Sequence, residues 1–240
     1  MKSSELEIKF STPLGEADEV TVDKWELMAS RRALHNLKKL LHGEAMEKLV
    51  RKQNDQSDAQ IKEALSRSNG EFKDVFVEAK IKGISATDYF AWQSGAMRSA
   101  ITGTPEQREE VAVNVVYPTH PEHYILLASG VVETLGGLPT RASVVKLPEM
   151  PKFVTDKIDP SFPHHSLSGV KLDDGTVWGY GLTEYRDTED GCEMRYRVWW
   201  PAAAPQIFFD DHARHFAVEY RNFIHMAVTE IAAQKAKQTA

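Results

Sequence analysis

The chain has 240 residues, of which 42% are hydrophobic and 27% charged, the balance of a globular protein. Its formal net charge is -6 at pH 7 without a long run of Lys or Arg, which argues against nucleic acid and anionic membrane surfaces as main partners. The single cysteine, Cys192, excludes an intramolecular disulfide and a cysteine-rich zinc module. Any metal site must therefore use His, Asp and Glu. We expect a cytoplasmic protein, because no signal-peptide or membrane-spanning pattern is present.

The first third of the chain has the apolar spacing of helices. This spacing begins near Thr21 and is interrupted at Gly43. The next predicted elements are, in order, a helical piece over 45–52, a loop over the polar stretch 53–60, a short helix over 59–67 and a turn at 68–70. We therefore predict an N-terminal helical extension, residues 1–70, that packs on a main domain, residues 71–240.

After residue 70 the pattern changes to the alternation of half-buried strands. The stretch FKDVFVEAKIKGI predicts a strand, and SATDYFAWQSGAMRSAI a helix capped by Ser85 or Thr87. The later predicted elements are a loop over 102–110, a strand over VAVNVVYP (111–118), a strand pair or one long strand over 123–135, strands over 141–147, 176–185 and 192–200, and a long helix over about 211–235. This order predicts an α+β fold whose antiparallel sheet covers the terminal helix.

The terminal helix carries the stretch DDHARHFAVEYRNFIH. With His215 at zero on a helical wheel, Glu219 falls at about 40° and His212 at about 60°, beside an apolar stripe at roughly 80–160°. This edge of a buried stripe is where a helix borders a cavity. A His and a Glu one turn apart can chelate zinc, manganese or iron, but such pairs also occur by chance on amphipathic helices. We interpret His212 as support for the ligands or as helix start, whereas His225 falls on the far side.

Further ligands are available between the predicted strands. YPTHPEHY supplies His120 and His123, and VVETLGG supplies Glu133 within an apolar run. On one continuous strand His123 and Glu133 would share a face, because both have odd numbers. A buried carboxylate needs a partner. The alternatives are that Glu133 binds a metal, pairs with Arg141 or points to solvent.

Four stretches in this order resemble the diacetylphloroglucinol hydrolase and phloretin hydrolase family. They are ISATDYFAW (84–92), HPEHY (120–124), VVETLGG (131–137) and GCEMRYRVWW (191–200), the last followed by the HFAVEY helix. The combination of GCEMRYRVWW and H-x-x-x-E is the most specific part. The resemblance spans about residues 75–235.

The resemblance implies a START-type helix-grip fold, in which a curved antiparallel sheet wraps around a long C-terminal helix and encloses a cavity. It implies a catalytic zinc held by two histidines and two glutamates, for which iron or manganese could substitute. The matching positions are His123, Glu133, His215 and Glu219, with His120 as a rival to His123. The implied reaction is hydrolysis of the carbon–carbon bond between an acyl group and a phenolic ring or related cyclic ketone.

The chain departs from the family in being shorter, in a compressed connection between His123 and Glu133, and in an additional loop over 102–110. For catalysis the predicted residues are Glu219 or Glu133, as a displaceable carboxylate, and His164. For substrate binding the candidates are Tyr117, Tyr124, Tyr180 and Tyr196, with Asn114 and either His164 or His165 as further ones.

Two other functions are compatible with the same fold. The chain could be a non-catalytic protein that binds a hydrophobic small molecule, or a scaffold that a metal stabilises, because fold does not decide function. The expected partner is a small molecule rather than nucleic acid or a membrane, and the chain could form a homodimer.

Overall fold

The computed structural model describes residues 9–238. Residues 1–8 and 239–240 lie outside the described residues, and the division into units 1–70 and 71–240 stays a prediction. The strands are β1 (Lys9–Thr12), β2 (Gly15–Asp18), β3 (Phe72–Lys82), β4 (His123–Leu127), β5 (Gly130–Leu135), β6 (Leu138–Val145), β7 (His164–Lys171), β8 (Val177–Thr188) and β9 (Gly191–Pro201). The helices are α1 (Glu19–Leu41), α2 (Glu44–Ser68), α3 (Ala86–Thr102), α4 (Pro105–Val111), a π-helical segment (Ala112–Val116), α5 (Tyr117–Thr119), α6 (Lys152–Thr155) and α7 (Gln206–Gln238).

Seven strands form one strongly curled antiparallel sheet in the order β3-β9-β8-β7-β6-β5-β4. Helix α7 contacts β3 at one edge and β5 near the other, so it lies along the concave side of the sheet. Strands β1 and β2 form a separate hairpin. The predicted α+β class, with an antiparallel sheet and a long C-terminal helix, is confirmed.

The main core lies between the concave face of the sheet and α7. Alternation along β9 sends Met194, Val198 and Trp200 into this core, whereas Trp199 packs on the convex face. The Trp200 ring stacks on Trp178 with 4.5 Å between centroids. This aromatic layer closes one end of the space between sheet and helix. No helix in the stretch 9–238 is long and apolar enough to cross a membrane.

The predicted loop over 53–60 is wrong, because these residues form the middle of the continuous helix α2. The buried positions of α2 run through this stretch at helical spacing, and two of them are the polar residues Asn54 and Ser57. The sequence pattern suggested a loop because it equates polar residues with exposure. In the fold, α2 packs against β6, and Ser57 hydrogen-bonds to Thr140 at 2.5 Å.

Replacing Ser57 with alanine is expected to lower the free energy of unfolding by about 1 kcal/mol, because a buried hydrogen bond between helix and sheet is lost. Thr140 also donates to the Leu138 carbonyl, so Ser57 is the donor to Thr140. Urea unfolding would measure the change. Ser66→Ala, an exposed serine on the same helix, is the matched control. Equal stability of the two variants would contradict the packing of α2 on β6.

The predicted loop over 102–110 and the predicted strand over 111–118 are also wrong. Helix α4 begins with a capping box between Thr104 and Gln107, and the chain continues through the π-helical segment into α5. The valines favour a strand by propensity, but their burial decides otherwise. Ala112, Val113, Val116 and Tyr117 pack together at helical spacing against Leu126 and Val131 of the hairpin.

Three other predictions need revision. The stretch 123–135 is a hairpin, β4–β5, so the alternative of one long strand is excluded. Strand β7 was not anticipated, because the sequence His164–Lys171 follows a proline-rich loop. Helix α7 begins at Gln206, earlier than predicted, so His212 lies within the helix and not at its start.

Candidate metal centre

Four acidic and imidazole side chains meet where α7 passes the β4–β5 hairpin. His123 and Glu133 are directly opposite each other in the register of the hairpin. Cross-strand partners point to the same face of a sheet, here the concave face toward α7. From α7, His215 and Glu219 approach the same point because they are one turn apart. The shared face expected for His123 and Glu133 is therefore present, through pairing of two strands.

The donor atoms lie within ligand-to-ligand distances of one another. Nε2 of His123 is 3.0 Å from Nε2 of His215. Oε2 of Glu133 is 3.5 Å from Nε2 of His123 and 3.2 Å from Nε2 of His215. Oε1 of Glu219 is 3.6 Å from Nε2 of His123. His123, His215 and Glu133 are buried, and Glu219 is largely shielded from solvent.

These groups could hold a metal ion. His123, His215 and Glu219 form one set of donor atoms that lie close enough to share an ion. Two ligands of a tetrahedral ion with bonds of about 2.0–2.1 Å are roughly 3.3 Å apart, which matches the observed separations. The alternative that Glu133 pairs with Arg141 does not apply, because Arg141 pairs with Asp55, Asp58 and Asp173.

The charges in the cluster are strongly interdependent. Burial alone would raise the pKa of Glu133, but the imidazoles of His215 and His123 hold it well below its ordinary value. Burial would lower the pKa of His215, yet the carboxylates of Glu133 and Glu219 raise it to about 9. Burial raises the pKa of Glu219. Without an ion, the cluster therefore contains a protonated His215 beside an ionised Glu133.

His123 has the better geometry of the two rival histidines. Its Nδ1 lies 2.8 Å from the Val116 carbonyl, which can only accept, so Nδ1 carries the proton and Nε2 is free to bind. His120 uses its Nδ1 to accept from the amide of Glu122, which leaves the proton on its Nε2. The ring of His120 stacks on His215, with 3.7 Å between centroids. A second potential donor set, His120, Glu122 and His215, depends on an exposed carboxylate.

His212 lies one turn before His215 and is also buried. Its Nε2 is 4.0 Å from Oε1 of Glu133, and neither ring nitrogen has a hydrogen-bond partner among the described residues. The ring packs between Trp200 and Phe216. Burial lowers the pKa of His212 to about 3, so the ring is neutral. The ring lies beside Oε1 of Glu133, which agrees with the prediction that His212 supports the ligands.

Three of the four residues border a cavity of about 350 Å³ between α7, α3 and the sheet. His123, Glu133 and Glu219 line it, together with Phe216, Phe223 and other apolar side chains. This volume lies at the lower end of the range for small-molecule sites. The side chain of Tyr196, which carries a phenolic hydroxyl, also lines the cavity. Burial and the nearby carboxylates raise its pKa well above the ordinary value, so this hydroxyl keeps its proton.

The other predicted tyrosines lie elsewhere. Tyr117 packs beneath Lys38, whose Nζ is 5.7 Å from the ring centre. Tyr124 hydrogen-bonds to Thr134 at 3.1 Å. Tyr180 packs against Phe72 and Phe153 on the convex side of the sheet. The structure brings Tyr196 to the cavity and leaves these three outside it.

His164 and the remaining polar candidates are also away from the four donor atoms. His164 stacks on Phe90 of α3, with 5.8 Å between ring centroids, and does not line the cavity. His165 and Asn114 are exposed. Phe90 lines the cavity and His164 packs against it, so the predicted catalytic role of His164 has no support in the position of its ring.

Sequence reasoning missed three residues that support the donor set. Lys38 is the one buried residue of α1, and it donates to the carbonyls of His120 at 3.3 Å and Pro121 at 2.6 Å. The hydroxyl oxygen of Thr119 lies 3.3 Å from Nδ1 of His123, and Asn222 donates to the Thr119 carbonyl at 2.8 Å. Lys38 belongs to the basic stretch RRALHNLKK (31–39), which is typical of a solvated helix face, and no sequence pattern marks it as buried.

Comparison with protein-family models finds no match to the chain, and a search among curated proteins finds no significant relative.

Proposed function

We propose that this chain is a zinc-dependent hydrolase that cleaves the carbon–carbon bond between an acyl group and a phenolic ring or a related cyclic ketone. The observation that carries the proposal is the convergence of His123, Glu133, His215 and Glu219 beside a largely apolar cavity, which His123, Glu133 and Glu219 line. Two imidazoles and two carboxylates are a donor set that zinc accepts, as do iron and manganese.

The START-type helix-grip fold is part of the proposal. It is supported by the curled antiparallel sheet, by α7 along its concave side and by the cavity between them. The four sequence stretches that resemble the hydrolase family contribute, in the structure, the helix α3, the two strands of the hairpin and strand β9, all of which border the cavity.

The chain's own residues account for binding and proton movement. Phe216 and Phe223 offer an apolar wall for a ring, and the Tyr196 hydroxyl can donate a hydrogen bond to an oxygen substituent. Zinc, when bound, would polarise the acyl carbonyl of the substrate and lower the pKa of a bound water. Hydrolysis then adds water oxygen to the acyl carbon, breaks the carbon–carbon bond and returns a proton to the ring carbon, which yields a carboxylic acid and the free phenol.

The two glutamates have different roles in this proposal. Burial raises the pKa of Glu219, whereas the imidazoles keep the pKa of Glu133 low. Carboxyl groups whose pKa values are pushed apart divide into one that exchanges protons and one that stays ionised. Glu219 is therefore assigned as the displaceable ligand, whose carboxyl group exchanges protons when it leaves the ion, and Glu133 as the ligand that stays anionic.

The test combines metal content with turnover. Protein purified without chelator is expected to contain about one zinc per chain and to release acid from acylated phenols or cyclic 1,3-diketones. Glu219→Gln should lower the rate by about 100–10,000-fold, the usual contribution of an acid–base group. Glu230→Gln is the matched control, because Glu230 is an exposed glutamate of the same helix and the glutamine oxygen can still accept from Trp92.

A second candidate function follows from the apolar lining of the cavity, which suits a protein that only binds a hydrophobic small molecule. It predicts tight binding of an apolar ligand that Glu219→Ala leaves unchanged, and no acid release. Protein without stoichiometric metal and without turnover would favour this function over hydrolysis.

A further inference from the structure

The orientation of His123 is set by the end of a helix. The chain from Ala112 to Thr119 is helical and stops there, because His120 is extended with φ -143° and ψ 137°. The last carbonyls of a helix have no partner within it. One of them, the carbonyl of Val116, accepts from Nδ1 of His123 at 2.8 Å.

Thr119 completes this arrangement from a fully buried position. Its hydroxyl donates to the same Val116 carbonyl at 2.7 Å, and its oxygen lies 3.3 Å from Nδ1 of His123. A hydroxyl has one proton and two lone pairs. Since the proton is directed at Val116, the oxygen can accept a share of the Nδ1 proton. Two acceptors therefore face Nδ1, and both favour the tautomer with a free Nε2.

Asn222 connects the short loop between Thr119 and His123 to helix α7, which carries the donors His215 and Glu219. It lies three residues after Glu219 and seven after His215, so all three residues share one edge of α7. Its Nδ2 donates to the Thr119 carbonyl at 2.8 Å. Arg221 donates to Oδ1 of Asn222 at 3.0 Å, which fixes the amide with its nitrogen toward the loop.

We infer that Thr119 and Asn222 are positioning residues of the metal centre. Thr119 holds His123 in the tautomer with a proton on Nδ1, and Asn222 holds the loop of His123 in register with His215 and Glu219 on α7. The inference rests on the proposed metal centre, but its first test uses the metal-free protein. Partners of this kind commonly contribute a factor of about 10–100 in metal affinity.

The first experiment is ¹⁵N NMR of the imidazoles in metal-free protein. We expect His123 as the Nδ1–H tautomer in the wild type. Thr119→Val removes one acceptor and should increase the population of the Nε2–H tautomer, whereas Thr119→Ser should restore the wild-type spectrum. Thr102→Val is the control, because Thr102 is an exposed threonine whose hydroxyl also donates to a helix carbonyl.

The second experiment is zinc affinity in competition with a chelator. Thr119→Val and Asn222→Ala should each lower the affinity about 10–100-fold, and Thr119→Ser should not. Asn222 is only partly buried, so this variant keeps the test decisive if Thr119→Val does not fold. A merely structural role would lower stability without a change in the His123 tautomer.

Three outcomes separate the inference from the proposed function. An Nε2–H tautomer in the wild type would overturn the inference. So would folded Thr119→Val and Asn222→Ala variants with unchanged tautomer and unchanged zinc affinity. A tautomer that responds to Thr119→Val in a protein that binds no zinc would support the positioning network and would refute the proposed hydrolase.

Discussion

Exchange of His215 for alanine is expected to lower the affinity for zinc at least a hundredfold. Loss of a hydrogen-bond partner of a metal-bound histidine already costs about 10–100-fold, and loss of the ligand nitrogen should cost more. His215 is central to the donor set, because its Nε2 lies 3.0 Å from His123 and 3.2 Å from Glu133. Titration with chelator-buffered zinc would measure the change.

His225→Ala is the matched control for this experiment. It removes an imidazole from the same helix, but His225 is exposed and outside the cavity. Wild-type zinc affinity in a folded His215→Ala variant would contradict the metal centre. If His120→Ala lowers the zinc affinity and His123→Ala leaves it at the wild-type value, His120 is the ligand instead of His123.

Raising the pH from 7 to 9 is expected to strengthen zinc binding about fiftyfold, in proportion to the deprotonated fraction of His215. The carboxylates of Glu133 and Glu219 raise the pKa of His215 to about 9, against the effect of burial. A metal ligand must be deprotonated, so the proton on His215 competes with the ion throughout this range. Each pH unit below the pKa reduces the deprotonated fraction about tenfold, and the dependence should level off above pH 9.

Calorimetry in two buffers of different ionisation enthalpy would count the protons released on zinc binding. At pH 7 about one proton per ion should come from His215. The release should decline toward pH 9, where His215 is increasingly neutral before the ion arrives. A zinc affinity that is independent of pH between 7 and 9 would show that His215 is neutral in the metal-free protein, contrary to its contacts with Glu133 and Glu219.

The helical wheel of the terminal helix was a reliable guide to the candidate site. His215 and Glu219 meet in one donor cluster, and Glu219 lines the cavity, because helical geometry is local and puts residues four apart on one face of α7. The expected position of His212 close to them holds as well, although it lies inside the helix. For the same reason the strands β3, β8 and β9 are where alternation and turn residues predict them.

The failures have a common physical cause, since burial depends on what packs against a segment. The polar residues Asn54 and Ser57 favour a loop in the sequence pattern, but packing against β6 stabilises them as part of helix α2. The valine-rich stretch 111–118 predicts a strand, but it is helical because its valines pack against the β4–β5 hairpin at helical spacing. Tyr117, Tyr124 and Tyr180 were indistinguishable from Tyr196 in sequence, although Tyr196 alone among the four lines the cavity.

By itself the sequence determined the α+β class, the long terminal helix, and the spacing that puts His215 and Glu219 on one edge of that helix. Those properties depend on local periodicity and hydrophobic burial. Only the tertiary structure decided which other residues join them. The pairing of β4 with β5 brings Glu133 to His123, and the contact of α7 with the loop before β4 adds Thr119 and Asn222. The contacts of α7 with this region join residues about a hundred positions apart, and chain-local patterns contain no information on them.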